Sequence, residues 1–556
     1  MESSSTLPAR LLGLLALAAA GCSEAGAPTP PAATSSAAPA APGSAWKPSG
    51  PVDVVFLVID TLRADAILDA AGRYDTPNLD RLAGEGVTFQ RAFAAAPMTL
   101  PSHMSLFSSR PPFETKVLNN GQPVPKELPL LAEWMGQQGY ETRAVISLGT
   151  LNPVNKKESS SRGFEHYDLR YRDLAVAAET SPRLSESLAG RDPARPLFLF
   201  AHFADPHEPY NSHGATVREV EVKKDGEALE RFGIADTNRR EHELVLGPGR
   251  TVFEFTPVAP LRRFRVRRFE CLEDGKPVAV QWEAARQMQA APLARLVVDR
   301  GERPAATCTV RFWLNDEVPA DEVRRRYAAE VAYVDRAIGQ LFAELERHDL
   351  YRDSLIVFTS DHGEGLGEHT LIGHVERLSD ELIHVPLIVR LPESDPRRPD
   401  LARAAQGLVS HLDVVPTLLE AAGLPPLPGQ RGASLFNPRT AAVHIAQTHR
   451  PEAQRTQIAL RDERFKMVYF PADAEAKPPQ EERFELYDLA ADPRERKNVF
   501  LELARERPDW PQRLDQIYRQ SQLGLGTVGG DETDEERRAR EEMLQALGYG
   551  GAASPD

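Results

Sequence analysis

A continuous apolar run that ends in an acid is the feature of this 556-residue chain that most restricts its fold. The run PVDVVFLVID occupies residues 51–60, and from Val54 to Ile59 it contains only apolar side chains. Such a run is typical of a central strand in a parallel sheet, which is buried on both faces. Ligands bind at the carboxyl ends of such strands, so we expect Asp60 to take part in catalysis or metal binding. Capping of the following helix is the alternative.

Strand and helix patterns alternate on both sides of the middle of the chain. An amphipathic helix is predicted from Val323 to Leu345, where apolar residues recur at three- and four-residue steps. This alternation predicts an α/β domain with a mostly parallel sheet. Further buried strands are predicted at 141–147, 196–203, 353–360 and 385–391.

The chain divides into several regions by composition. We predict a catalytic domain at 51–440, with a β-rich insertion at about 211–318, where short alternating runs replace the strand–helix pattern. A smaller α+β subdomain is predicted at 441–525, and a charged helical tail at 526–556. Residues 23–50 are rich in Ala, Pro and Ser, which is typical of a disordered linker.

The N-terminus has the pattern of an export signal. Arg10 precedes an apolar run at 11–20, which is too short to span a bilayer as a mature helix. The sequence Ala19-Ala20-Gly21-Cys22 resembles a bacterial lipoprotein cleavage box. We therefore expect residues 1–22 to form a lipoprotein-type signal peptide, with a lipidated Cys22 that anchors the exported protein to the bacterial cell envelope. An ordinary signal peptide is the alternative.

The formal net charge of −15 argues against a nucleic-acid-binding protein, because such proteins carry a basic field. The basic run at 262–268 interrupts this charge, and we interpret it as a strand with an arginine-rich face, with an anion or partner contact as the alternative. In an exported protein Cys271 and Cys308 are expected to form a disulfide, and two free buried thiols are the alternative.

A dense polar stretch, Ala96 to Ser105 (APMTLPSHMS), follows a small alanine-rich run. This density suggests a nucleophile at a turn that opens a helix, where the free backbone N–H groups favour an anion. The sequence Thr-x-Pro-Ser is equally an ordinary helix N-cap, so this stretch alone leaves both interpretations open.

Three predicted strand ends carry acids or imidazoles, and a parallel sheet gathers such ends at one edge. They can meet Thr99 there and form a site for a divalent metal ion, which would lower the pKa of the Thr99 hydroxyl and make it a nucleophile. The alternative is that each group is a separate cap or turn residue. The strand-end residues are Asp60, Asp205, His207, Asp361 and His362.

With these motifs in this order, the chain resembles the sulfatase family of the alkaline-phosphatase superfamily. The resemblance implies an alkaline-phosphatase-like α/β/α sandwich and covers roughly Pro51 to Phe500 outside the insertion. The matching segments are VIDTLRAD at 58–65, TPNLDRLAGEGVTF at 76–89, TLPSHMSLFSS at 99–109, DPHEPY at 205–210, SDHGEGLGEH at 360–369, HVPLIV at 384–389, DVVPTLLEAAGL at 413–424 and ELYDLAADPRERKNV at 485–499.

The resemblance also implies a role for each matching residue. Asp60, Asp361 and His362 match metal ligands, and Thr99 matches the nucleophile, which is itself a metal ligand. The residues expected to act on the leaving group or the transferred group are His207 and His374, and those expected to contact substrate are Asn120, His103 and His369. Asn120 as a simple turn residue is an alternative. A second metal ion would need further ligands, for which Asp205, His207, His369 and His374 are candidates.

Two departures from the usual sulfatase pattern bear on the chemistry. Thr99 stands where sulfatases carry the Cys or Ser that becomes formylglycine, and His103 stands where they carry an arginine. No formylglycine is therefore expected. His362 stands in place of the usual asparagine, and an imidazole ligand favours Mn²⁺ or Zn²⁺ over the Ca²⁺ that is usual in the family.

These features predict a metal-dependent hydrolase of sulfate, phosphate or phosphonate esters, acting through a covalent Thr99 intermediate. The expected substrate is a small molecule or a glycan or lipid ester. Two alternatives stay open: a phosphoethanolamine-type transferase of the same superfamily, and a catalytically weak lipoprotein that binds an anionic glycan.

Overall fold

A computed structural model describes residues 48–68, 72–151, 159–168, 170, 174–208, 210, 219–233, 238–258, 264–284, 294–316, 320–438, 443–450, 455–473 and 479–522. The predicted signal peptide, nearly all of the predicted linker and the predicted charged tail lie outside these residues. The described residues all belong to one compact unit, Gly43–Asp556.

The part of the chain before the insertion alternates strands and helices, as the sequence predicted. Its strands are β1 Val54–Ile59, β2 Val87–Thr88, β3 Ala92–Phe93, β4 Glu141–Val145, β5 His166–Asp168 and β6 Leu197–Phe203. Its helices are α1 Asp65–Leu68, α2 Pro77–Glu85, α3 Thr99–Ser108, α4 Pro112–Thr115, α5 Leu131–Gln137 and α6 Ala177–Ala189.

The insertion is a β-sandwich, which confirms the predicted β-rich character. Its two sheets have the orders β13-β14-β10-β7-β8 and β12-β11-β15-β9, and they bury a shared core that includes Phe253, Phe255 and Phe312. The basic run 262–268 falls partly in β11, and its side chains lie outside the described part. The strands are β7 Glu219–Lys224, β8 Glu227–Gly233, β9 Asn238–Leu246, β10 Arg250–Val258, β11 Phe264–Glu273, β12 Lys276–Pro277, β13 Val280–Ala284, β14 Ala294–Asp299 and β15 Ala306–Asp316.

Cys271 and Cys308 are free thiols buried in the core of the sandwich. The antiparallel pairing of β11 with β15 sets Cys271 opposite Val310 and Cys308 opposite Glu273, so the two cysteines are offset diagonally. Burial and the neighbouring Cys308 thiol raise the pKa of Cys271 to about 12. The expected disulfide is therefore contradicted, and the alternative of two buried thiols holds.

After the insertion the α/β pattern resumes with the long helix predicted from its periodicity. The predicted strand at 385–391 is divided, because Pro386 has no N–H for a sheet ladder and separates β19 from β20. The elements are α7 Ala320–Arg347, β16 Leu355–Ser360, β17 Gly365–Leu366, β18 Ile372–Gly373, α8 Asp380–Ile383, β19 His384–Val385, β20 Leu387–Arg390, α9 Arg398–Ala402, β21 Val409–Ser410 and α10 Val414–Ala421.

The central sheet has the strand order β2-β20-β16-β1-β6-β4-β5. The five strands from β16 to β5 run parallel, and β20 and β2 continue the sheet with antiparallel pairings. Both faces are covered: Val54, Phe56 and Val58 pack with apolar residues of α3, α5 and α10, whereas Val55 and Leu57 pack with residues of α2, α6 and α7. The predicted α/β/α sandwich with a mostly parallel sheet is confirmed.

A smaller antiparallel sheet closes the described chain. One face of this sheet packs against Phe93, Leu382 and Val385, and the other packs against Trp510 and Leu514 of the last helix. Among the described residues no helix combines the length and the apolar character needed to cross a membrane. The elements are β22 His444–Arg450, β23 Arg455–Arg461, β24 Phe465–Phe470, β25 Arg483–Asp488, α11 Phe500–Leu503 and α12 Trp510–Gln522.

Candidate active site

Two buried carboxylates emerge side by side from the central sheet. Strands β1 and β16 pair in parallel with Ile59 opposite Ser360, so the next residues, Asp60 and Asp361, leave the sheet at the same edge. Both side chains are completely buried. The strand ends therefore meet as the apolar runs predicted, and they bring two acids from distant parts of the chain together.

His362 completes a group of three side chains that can hold a metal ion. The ligand atoms of Asp60, Asp361 and His362 all lie within 4.8 Å of one another. The Nε2 atom of His362 is 3.5 Å from Oδ2 of Asp361 and 3.9 Å from Oδ1 of Asp60.

These ligand atoms make no hydrogen bond to any described residue. They are Oδ1 and Oδ2 of Asp60, Oδ2 of Asp361 and Nε2 of His362. Buried polar atoms are nearly always paired, so a group of unpaired acceptors calls for a cation. The Nδ1 atom of His362 faces the carbonyl oxygen of Gly363 at 3.0 Å. A carbonyl can only accept, so Nδ1 carries the proton and the lone pair of Nε2 is directed at the carboxylates.

Burial controls the charge of this group. It raises the pKa of Asp361 to about 7, with the Asp60 carboxylate as the next cause, and it also raises the pKa of Asp60. It lowers the pKa of His362 to about 3, so this imidazole is neutral at neutral pH. A neutral imidazole and two carboxylates that are costly to ionise without a counter-charge form a suitable ligand set for a divalent cation.

Thr99 is the first residue of α3, whose N-terminus is directed at this group. The Thr99 hydroxyl is buried and makes no hydrogen bond to a described residue. It lies close enough to Asp60 to act against burial and lower the pKa of that carboxyl. The Ser102 hydroxyl donates to the carbonyl oxygen of Asp361 and so fixes α3 against the end of β16. Met98, not Thr99, is the N-cap residue of α3, and no side chain caps this helix, so the N-cap interpretation of Thr99 does not hold. The expected role of Thr99 as a nucleophile at the helix N-terminus stays a prediction.

Asn120 lies beside the start of α3. Its Oδ1 atom accepts a hydrogen bond from the backbone N–H of Leu100 at 2.8 Å, whereas its buried Nδ2 atom has no partner among the described residues. An amide donor is thus left available next to Thr99. This arrangement suits the predicted contact with a negatively charged group better than a simple turn role.

His207 and His374 lie next to the metal ligands. The ring of His374 is 4.5 Å from that of His362 and 5.1 Å from that of His207. Nδ1 of His374 donates to Oε1 of the buried Glu364 at 3.2 Å. The sequence reasoning missed Glu364, although it lies in the same SDHGEG segment as two metal ligands.

Thr61 follows Asp60 in a strained conformation. Its φ of 56° is in the left-handed region, which costs a β-branched residue energy and is often found at functional sites. Two hydrogen bonds hold it: its N–H donates to Oδ1 of Asp361 at 3.2 Å, and its carbonyl accepts from the Tyr327 hydroxyl at 2.8 Å. The turn after β1 is therefore tied to the end of β16 and to α7.

His103 and His369 lie in different surroundings. His103 lies behind Asp361 and is completely buried, with ring contacts to Phe107 and Phe200. His369 lines a separate cavity of about 880 Å³ together with Arg63, and its Nε2 atom is 3.7 Å from Oε1 of Glu381. None of the three metal-binding residues lines that cavity.

A further histidine, His202, was missed by the sequence reasoning. It lies in β6, is completely buried, and directs Nε2 at Oδ2 of Asp60 from 3.5 Å. One signal was present in the sequence: a titratable residue inside LFLFAHF, which is otherwise an apolar strand.

Comparison with known proteins identifies matching families over most of this structure. A family model described as Sulfatase matches residues 52–424, and a model described as N-sulphoglucosamine sulphohydrolase, C-terminal, matches residues 367–509. The first match contains every predicted site residue.

Three individual proteins illustrate the similarity. An N-acetylglucosamine-6-O-sulfatase of Bacteroides thetaiotaomicron is 22% identical over 84% of this chain and 86% of its own length. The multifunctional alkaline phosphatase superfamily protein PehA of Trinickia caryophylli is 26% identical over 67% of this chain and 74% of its own. The crystal structure of the phosphonate monoester hydrolase of Agrobacterium radiobacter has the same fold, with a TM-score of 0.54 at 20% identity over 84% of this chain and 96% of that one.

Proposed function

This chain belongs to the sulfatase family, and we propose that it is a metal-dependent hydrolase of sulfate, phosphate or phosphonate esters with Thr99 as its nucleophile. One observation carries the proposal. The unpaired Thr99 hydroxyl stands at the N-terminus of α3 beside the unpaired ligand atoms of Asp60, Asp361 and His362. A hydroxyl, a helix N-terminus and a cation site together form what attack on an anionic ester requires.

Asp60, Asp361, His362 and Thr99 would hold one divalent metal ion, with Mn²⁺ or Zn²⁺ favoured by the imidazole ligand. When bound, such an ion lowers the pKa of a ligating hydroxyl and neutralises charge on the ester oxygens. The unpaired ligand atoms of Asp60, Asp361 and His362 support the proposal, because burying such polar and charged groups without a counter-charge costs free energy.

Thr99 Oγ1 attacks the phosphorus or sulfur in line, a new O–P or O–S bond forms, and the bond to the leaving oxygen breaks. The Asn120 Nδ2 donor and the N-terminal N–H groups of α3 bind the oxygens of the transferred group. Burial lowers the pKa of His207 and His374 to about 4, so either neutral imidazole can take the proton from Thr99 Oγ1 and pass it to the leaving oxygen. Both rings lie beside the site. Attack by water on the covalent Thr99 ester then releases the product.

We favour phosphate diesters and phosphonate monoesters as substrates over sulfate esters. Threonine cannot form the formylglycine on which sulfatases depend, so release of sulfate by an aldehyde hydrate is excluded for Thr99. The named relatives include enzymes for both classes of ester, an N-acetylglucosamine-6-O-sulfatase and a phosphonate monoester hydrolase.

A panel of aryl esters tests the proposed activity. The metal-depleted protein is supplied with Mn²⁺, Zn²⁺ or Ca²⁺ and assayed on aryl phosphate monoesters and diesters, phosphonate monoesters and sulfates. We expect Mn²⁺- or Zn²⁺-dependent release of the phenol from the phosphorus esters. Asp361→Asn should abolish it, whereas Asp335→Asn, which changes a buried carboxylate bound by Asn78 and Leu79, should not. Absence of metal-dependent turnover on every ester would refute the proposal.

We also propose that the protein is exported and lipid-anchored through Cys22. The signal-like run at 11–20 and the Ala-Ala-Gly-Cys sequence that follows support this. Labelled palmitate should be incorporated during expression in a bacterial host and should be lost in Cys22→Ala. Equal labelling of the two proteins would contradict the anchor.

A further inference from the structure

His202 is a buried polar side chain to which the proposed mechanism gives no role. Strand β6 pairs in parallel with β1, and His202 lies opposite Val58, two residues before Asp60. His202 shares the sheet face of Phe198 and Phe200. Both ring nitrogens lack a hydrogen-bond partner among the described residues. An imidazole left unpaired in an apolar layer is costly, so its position needs a reason.

Besides His362, one further histidine ring lies close to each carboxylate of the metal-binding group. Nε2 of His202 is 3.5 Å from Oδ2 of Asp60, and Nδ1 of His103 is 3.6 Å from Oδ2 of Asp361. The two rings are themselves adjacent, with centroids 5.3 Å apart. Both contacts are longer than a hydrogen bond, and a shift of about 0.5 Å would close either one.

The positions of the protons are set by the neighbouring acceptors. Nδ1 of His103 donates to the carbonyl oxygen of Thr99 at 2.8 Å, and Oδ2 of Asp361 lies 3.6 Å from the same nitrogen. Nε2 of His202 faces a carboxylate oxygen, which favours a proton on that nitrogen.

We propose that His103 and His202 are positioning residues that orient Asp361 and Asp60 for cation binding. The inference rests on the metal site of the proposed function and adds two residues to it. Carboxylate ligands are themselves held by hydrogen bonds, and loss of such support weakens metal binding about 10- to 100-fold. His103 is one helical turn after Thr99, so it also links the nucleophile to Asp361.

A role in packing alone makes a different prediction. If the two rings only packed against Phe200, a phenylalanine would replace either one without affecting the metal. A glutamine, by contrast, would pack less well but would keep an N–H donor near the position of Nε2. The two substitutions therefore separate orientation of Asp60 from packing.

Titration calorimetry of Mn²⁺ into the metal-depleted full-length protein tests the inference. We expect His202→Phe to bind Mn²⁺ about 10- to 100-fold more weakly than the wild type. His202→Gln should remain within about threefold. The control His444→Gln changes a buried imidazole bonded to Ser410 and Ala94, and it should bind Mn²⁺ as the wild type does. Equal Mn²⁺ affinity of His202→Phe and the wild type would overturn the inference.

Nitrogen-15 NMR of histidine in the Zn²⁺-loaded wild type provides a second measurement, made on the unaltered site. His202 should show the neutral tautomer with its proton on Nε2, and His103 the neutral tautomer with its proton on Nδ1. Signals are assigned by their loss in the glutamine variants. A proton on Nδ1 of His202 would overturn the inference. If the wild type binds neither Mn²⁺ nor Zn²⁺, the proposed function fails as well, so the two failures are distinguishable.

Discussion

The backbone N–H of Thr61 donates a hydrogen bond to Oδ1 of Asp361, which is 300 residues away in the sequence. The N–H of His362 donates to the same oxygen at 2.8 Å. One oxygen of Asp361 is therefore fixed by the backbone, and the other, Oδ2, is left unpaired toward Asp60 and His362. Asp361 thus uses one oxygen to hold the backbone and leaves the other available as a metal ligand.

Metal binding should depend on pH through Asp361. Its pKa is raised to about 7 in the metal-free protein, so below that pH a proton must leave before the carboxylate can act as a ligand. We expect Mn²⁺ affinity to fall about tenfold per pH unit below about pH 7 and to level off above it. Calorimetry in buffers of different ionisation enthalpy measures the proton release directly. An affinity that stays constant from about pH 6 to about pH 8 would contradict this.

Asn120→Ala should impair catalysis without removing the metal. The substitution deletes the unpaired Nδ2 donor and also leaves the Leu100 N–H without its acceptor. Loss of one donor to a transition-state oxygen costs about 10²- to 10³-fold in kcat. Steady-state kinetics and Mn²⁺ binding should be compared with Asn119→Ala, a change at the neighbouring residue. A normal kcat in Asn120→Ala would show that the amide does not contact the transferred group.

Tyr327→Phe should loosen the turn that carries Asp60. The Tyr327 hydroxyl accepts from Arg63 N–H at 2.9 Å and donates to the Thr61 carbonyl, and all of these groups are at least partly buried. We expect unfolding free energy to fall by about 1–3 kcal/mol. Mn²⁺ affinity should fall as well, because Thr61 in turn bonds Asp361.

Tyr333→Phe is the matched control, since its hydroxyl accepts one exposed N–H, that of Ala178. Denaturant unfolding and calorimetry should separate the two variants. If both variants bind Mn²⁺ equally well, the turn does not support the site.

Cys271 and Cys308 should be found as thiols. The protein is unfolded without reductant, alkylated and digested. The masses of the peptides that contain the two residues are then measured by mass spectrometry. Because both thiols are free and buried, we expect full alkylation after unfolding and little before it. Peptides joined by a disulfide would contradict the structure of the insertion.

Much of the fold could be predicted because long apolar runs have few alternatives. The run before Asp60 is typical of a doubly buried strand, and the periodicity after residue 320 is typical of a long amphipathic helix; the structure has both. The division of the strand at 385–391 depends on Pro386, whose missing N–H could have been weighed. The diagonal register of Cys271 and Cys308 could not be predicted, because register is set by pairing across the sandwich.

The residues of the candidate site also differ in whether the sequence could place them. Residues at strand ends, such as Asp60 and Asp361, could be placed because the topology of a parallel sheet gathers them. The position of His202 could not be predicted, because its place opposite Val58 depends on the register between β1 and β6. His369 was expected to contact substrate because its segment matches the family motif, and it lines a cavity together with Arg63, so this role stays a prediction.

Trapping of a covalent ester on Thr99 tests the central claim most directly. The Mn²⁺-loaded protein is quenched in acid during turnover of an aryl phosphonate monoester and digested, and the peptide containing residue 99 is analysed by mass spectrometry. The proposed nucleophilic role of Thr99 predicts a phosphonylated Thr99 in the wild type and a phosphonylated serine with retained turnover in Thr99→Ser. It predicts neither adduct nor turnover in a folded, metal-binding Thr99→Ala. Turnover by Thr99→Ala at the wild-type rate would contradict it.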